Sequence, residues 1–103
     1  MNYSDQELSK MMIETSLDKQ DCLELYQMFF DDFSMQFQKI EEAIVRYDFV
    51  ELQLICHRLK GASGSLRLKK IYSLLQELEN AAKASNYNLS KTLLKRIDET
   101  VGV

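Results

Sequence analysis

Residues 48–66 read DFVELQLICHRLKGASGSL, and this stretch decides the fold. Asp48 with Glu51 three residues on is a capping box, which opens a helix by satisfying amides that have no partner inside it. Leu52, Ile55, Leu59 and Ala62 then recur in steps of three and four, the spacing of one apolar helix face. Gly61, Gly64 and the serines around them weaken the second half, so the helix is expected to end near Ser65 or Leu66. Apolar residues resume at once with Leu68, Ile71, Leu75, Leu78 and Ala82 on the same period. Two helices joined by so short a link lie side by side and run in opposite directions.

Working outward, Asp18 caps a longer helix and Asp21 places a favourable negative charge in its first turn. Its stripe runs through Cys22, Tyr26, Phe29, Phe33, Phe37, Ile40, Ile44 and Tyr47, about seven turns. Further upstream, Ser4 and Glu7 form another capping box ahead of Leu8, Met11, Met12 and Thr15. Downstream, Asn86 and Asn88 mark a turn, after which Leu89, Leu93, Ile97 and Val101 face inward. The fold class is therefore all-α: an antiparallel up-and-down four-helix bundle over residues 18–101, with an extra short N-terminal helix within residues 1–17. Residues 1–103 make a single domain.

Composition excludes several functions. The 103 residues are 46% apolar and 28% charged, with 3 Gly and no Pro, too apolar for a disordered chain and too poor in turn residues for a β-sandwich. A net charge of -3 argues against nucleic-acid binding, which needs clustered Lys and Arg. No apolar run approaches the roughly 20 residues that span a bilayer. The N-terminus MNYSDQELSK lacks the basic and apolar regions of a signal peptide. Cys22 and Cys56 fit no metal-ligand spacing and read as buried thiols in a reducing, cytoplasmic setting.

The one histidine, His57, does not belong to the core face. At about 100° per residue it falls almost opposite the centre of the Leu52, Ile55, Leu59 and Ala62 sector. Its neighbours on that outer face are Val50, Leu54, Gly61 and Gly64, where a solvated helix carries Glu, Lys, Gln or Arg. Each mid-helix glycine costs about 0.5–1 kcal/mol relative to alanine, so their presence implies that something large approaches the imidazole. The exposed apolar pair suits a docking patch. Lys60, three residues on, can swing its ammonium alongside the ring. Pairing across the short turn sets Gln76 to Glu79 level with His57, and Tyr72, Gln76, Glu79 and Lys83 form a polar stripe there. Gln76 or Glu79 can accept a hydrogen bond from one ring nitrogen and leave the other free to attack.

The segment His57-Arg-Leu-Lys60-Gly61-Ala-Ser63-Gly64 resembles the H-x-L-K-G-x-S-G signature of histidine-containing phosphotransfer (HPt) domains, the helical modules of two-component phosphorelays. The long preceding helix, the Leu-Glu-Asn run at 78–80 and the turn at Asn86 resemble the family too, over roughly residues 18–101. The resemblance implies that His57 is the phosphorylated residue, Lys60 the cation beside the phosphate, and Gly61 the clearance beneath an incoming receiver loop. It implies that Glu79 orients the ring and that Lys83 stands where some members have an arginine near the phosphate. Val50, Leu54, Gly61, Ser63 and Gly64 are candidates for receiver docking, and no role is transferred to the N-terminal helix.

The reaction implied is transfer of a phosphoryl group from a receiver aspartate to His57 and on to another aspartate, with the neutral imidazole as nucleophile. The partners would be receiver domains of response regulators and hybrid histidine kinases. The chain is expected to be a monomeric phosphocarrier, not an enzyme, and to lack autokinase activity, since it has no glycine-rich phosphate loop. Neither metal nor cofactor is expected on it, because Mg2+ would sit on the receiver. Asp31 and Asp32, being adjacent, point different ways on a helix. The competing reading is a helical adaptor that binds a receiver or another signalling protein without carrying phosphate. An oligomerisation bundle would need a continuous apolar outer stripe, and an enzyme would need a second catalytic group.

Overall fold

Helix caps set the boundaries of the chain. The computed structural model describes residues 3–102, which contain five helices and no strand; Met1, Asn2 and Val103, part of the expected domain, lie outside the described residues. The first helix, α1 (Asp5–Thr15), opens on the reciprocal box: the Glu7 amide donates to Ser4 Oγ at 3.0 Å and the Ser4 amide to Glu7 Oε1 at 2.8 Å. The next, α2 (Lys19–Val45), starts where the Asp21 amide donates to Asp18 at 2.8 Å. The third and fifth helices, α3 (Phe49–Ser65) and α5 (Tyr87–Val101), are capped by Asp48 and Asn86. The fourth, α4 (Lys69–Lys83), begins at Leu68 with no side-chain cap.

The links from α2 to α3, α3 to α4 and α4 to α5 share one construction. The middle residue of each, Tyr47, Arg67 or Ser85, is left-handed, with φ of 58°, 57° and 51°. Two amides turn back onto the preceding helix each time; in the first link Tyr47 donates to the Ile44 carbonyl and Asp48 to that of Ala43. This is the Schellman ending, normally built on glycine. A non-glycine residue there costs roughly 1 kcal/mol. It also corrects the expectation at Asp48: its amide is taken by Ala43, so the box with Glu51 forms in one direction only.

Tyr26, Phe33 and Ile40 of α2, Leu52 and Leu59 of α3, Leu75 and Leu78 of α4, and Leu93 and Ile97 of α5 are all fully buried. Packing is most extensive between α3 and α4, while α4 also meets α5 and α2 meets α3, α5 and α1. Each of α2 to α5 thus touches two of the others in a ring, within 42 × 20 × 20 Å. Among the described residues, no helix is long and apolar enough to cross a membrane.

Three core expectations need correction. Tyr47 is not the last rung of α2; it stands in the link, 62% exposed and stacked on Tyr87 with ring centroids 4.6 Å apart. Ala62 is exposed while Cys56 and Ser63 are buried, because α3 is covered by α2 on one side and α4 on the other. That centres its buried arc on Leu52, Leu59 and Ser63 and leaves Ala62 about 90° away. Leu89 is 43% exposed, and Ser90, which stands in line with Leu93 and Ile97, is buried instead.

Candidate functional site

The same wheel that buries Leu52, Ile55 and Leu59 turns Val50, Leu54, His57 and Gly61 outward, and all four are exposed. The His57 side chain is 70% exposed and its Nδ1 lies 3.0 Å from Glu79 Oε2 on α4. Glu79 is only 3% exposed, further inside than the edge stripe suggested. Its other oxygen, Oε1, receives the Lys60 ammonium at 2.8 Å, and Lys60 Nζ also donates to Gln76 Oε1 at 3.0 Å. Lys83, one turn along α4, sits 3.8 Å from Oε2 and is half exposed. Of the two candidates, Glu79 and not Gln76 meets the imidazole, and the Gln76 amide joins the carboxylate in holding the lysine.

Charge assigns the protons. Burial alone pushes the Glu79 carboxyl up, but hydrogen bonds from Lys60 and His57, with the charge behind them, bring it below the ordinary carboxylate range. The bond to Glu79 is likewise the main reason the Lys60 ammonium lies above its usual value, against a smaller opposing effect of burial. An ionised carboxylate only accepts, so His57 Nδ1 carries the hydrogen and donates it. In the neutral form of the ring, Nε2 is then the nitrogen without a hydrogen, and it lies on the exposed side chain.

A second nucleophile next in sequence is out of play. Cys56 is fully buried, and burial pushes its thiol up to about 12, so almost none is thiolate at neutral pH. Among the described residues, no group of three or more His, Cys, Asp or Glu is arranged to hold a metal ion.

The two signature glycines differ. A Cβ at Gly61 would meet nothing within 4 Å, whereas one at Gly64 would lie 3.2 Å from the Tyr72 ring. Space beside His57 is open at Gly61, whereas at Gly64 the Tyr72 ring packs close against the helix and would have to shift slightly to admit a methyl. Ser63, expected on the docking face, is fully buried, its hydroxyl donating to the Lys60 carbonyl at 2.8 Å. That corrects its placement, because position 63 shares the inner arc with Leu52 and Leu59. Asn80 had no role in the sequence reading, yet the Gln76 amide nitrogen donates to its Oδ1 at 3.1 Å. The four-residue spacing on one helix flank was the available signal.

The family model of the Hpt domain matches residues 24–102. The chain belongs to the Hpt family. Hpt domains are phosphocarrier modules of two-component phosphorelays that work by histidine phosphotransfer and interact with receiver domains. The matched span takes in α3, α4, α5 and most of α2, with every residue of the His57 cluster, and leaves α1 outside. No curated protein and no solved structure shows a match to the chain.

Proposed function

We propose that this Hpt chain relays a phosphoryl group between receiver-domain aspartates through His57. The observation that carries the reading is an exposed imidazole whose Nδ1 is bound to a buried carboxylate. In the forward step the Nε2 lone pair attacks the phosphorus of the receiver's aspartyl phosphate. An N–P bond forms, the P–O bond to the aspartate breaks, and its electron pair leaves with the carboxylate. The ring becomes an N-phosphorylated imidazolium, and Glu79, still accepting from Nδ1–H, stabilises the new positive charge. The second transfer reverses these changes onto another aspartate.

In this reading Lys60 neutralises charge on the phosphoryl oxygens and Lys83 supplements it, while Gln76 and Glu79 orient the pair. Val50, Leu54, Gly61 and Gly64 form the face on which the receiver docks, and Mg2+ for the transfer is held by the receiver's own acidic residues. The ring of contacts among α2 to α5 and their three-residue links support an antiparallel up-and-down bundle, with α1 as an addition laid against α2. We place the chain in the cytoplasm, as a monomeric carrier without cofactor or autokinase activity.

The test is incubation of the chain with phosphorylated receivers, followed by assay for label. Acid-labile phosphate on the wild type and none on His57→Gln is the expected result. Receiver binding with no label on either form would replace the carrier with an adaptor.

A further inference from the structure

We propose that Gln76 and Asn80 are positioning residues that act through Lys60, fixing the direction in which its ammonium meets a phosphoryl group on His57. The inference rests on the reading of His57 as the phosphorylated residue. A lysine on a helix flank is a point charge on a flexible four-carbon stem, with three donors that rotate freely. Lys60 is not in that state: its side chain is 15% exposed, against 53% for Lys83. A single contact to Glu79 Oε1 at 2.8 Å would leave the stem free to pivot about that oxygen. The second acceptor, Gln76 Oε1 at 3.0 Å, removes the pivot. The ammonium is then held between two oxygens of α4, one by an ion pair and one by a hydrogen bond, and its outward side is left for an oxygen of the phosphoryl group.

Gln76 can do this only with its carbonyl end toward the ammonium. A primary amide has two faces, and its NH2 end would set donor against donor. The ammonium, a donor only, selects the carbonyl end, and Asn80 holds it there: its Oδ1 accepts from Gln76 Nε2 at 3.1 Å and keeps the amide nitrogen turned away from Lys60. The backbone beneath is fixed as well, by Ser63 Oγ donating to the Lys60 carbonyl. The chain Asn80 to Gln76 to Lys60 ends beside the imidazole, because Lys60 and His57 bind the two oxygens of one carboxylate. Glu79 would repel a phosphoryl group arriving on that ring, and an ammonium of fixed direction counters the repulsion without a search for geometry.

The variants Gln76→Leu, Asn80→Ala and Asn80→Asp are made in the full chain, alone and with Lys60→Ala. Transfer from a phosphorylated receiver to His57 should slow about threefold to tenfold in Gln76→Leu and Asn80→Ala, the loss of one charge-assisted contact. Asn80→Asp keeps the acceptor and should remain close to wild type. In the Lys60→Ala background, Gln76→Leu should cost nothing more; an equal loss in both backgrounds overturns the proposal. A second readout needs no phosphate. The Lys60 ammonium should give a slowly exchanging proton–nitrogen correlation in the wild type and Asn80→Asp, lost in Gln76→Leu and Asn80→Ala. If that signal persists in the last two, the positioning is refuted whatever His57 does. A wild type that takes no label refutes the relay instead, and the ammonium signal then still decides for or against the positioning chain.

Discussion

The two faces of α3 are made of similar residues at the same spacing, and only one is covered. Leu52, Ile55 and Leu59 are sealed by α2 and α4, whereas Val50 and Leu54, equally apolar, stand 73% and 62% exposed in line with His57. Apolar periodicity alone therefore does not say which row becomes core; the neighbouring helices do. The row they leave open is a patch with a nucleophile in it. The glycines divide in the same way, since Gly64 serves a contact inside the molecule and Gly61 serves none.

Paired substitutions put the contrast under the largest strain. His57→Gln should abolish phosphoryl transfer and leave stability within about 0.5 kcal/mol of wild type, as for other exposed positions. Leu59→Ala, two residues on, should lose about 2–5 kcal/mol. Urea denaturation run beside the transfer assay checks both, and a large stability loss in His57→Gln would merge the two faces. Lys60→Ala should slow transfer about tenfold through loss of a charge-assisted contact; an unchanged rate would make its pairing with Glu79 purely structural.

A smaller effect lies in pH. Because the folded-state value of Glu79 is lowered from its ordinary 4.5, the unfolded chain binds more protons there. The stabilisation is complete above that ordinary value and is lost as pH falls through the lower folded value. Glu79→Gln should therefore flatten the acid limb of a stability–pH curve, and an unchanged limb would show that the carboxylate contributes nothing by its charge. Lys60 runs the other way: raised from 10.5, it contributes fully below that value and loses its contribution as pH rises through the folded one.

The smallest effect separates the glycines. Gly61→Ala should raise stability by about 0.5–1 kcal/mol from helix propensity while slowing transfer, since its Cβ stands on the open row. Gly64→Ala should gain less, because the Tyr72 ring must yield to the new methyl. Equal thermal shifts in the two variants would erase the distinction.

Much of this was legible beforehand, and the parts that were not share a cause. Asp18, Asp48 and Asn86 announce helix starts because capping is local chemistry, and the short turn at 66–68 suffices to bring Glu79 level with His57. Periodicity gives the centre of a face but not its edges, which is why Ala62, Ser63 and Leu89 were misplaced. Tyr47 continues the apolar period of α2 in the sequence, and the left-handed ending that removes it from the helix is normally signalled by glycine. The bonds from Lys60 to Gln76 and from Gln76 to Asn80 depend on rotamers and amide orientation, and spacing does not determine those.

The most direct test is nitrogen and phosphorus NMR of the imidazole of His57 after reaction with a phosphorylated receiver. The account predicts a phosphorus–nitrogen coupling at Nε2, with Nδ1 still protonated and bonded to Glu79. Phosphate on Nδ1, or a ring that never acquires the coupling while the receiver loses its phosphate, would contradict it.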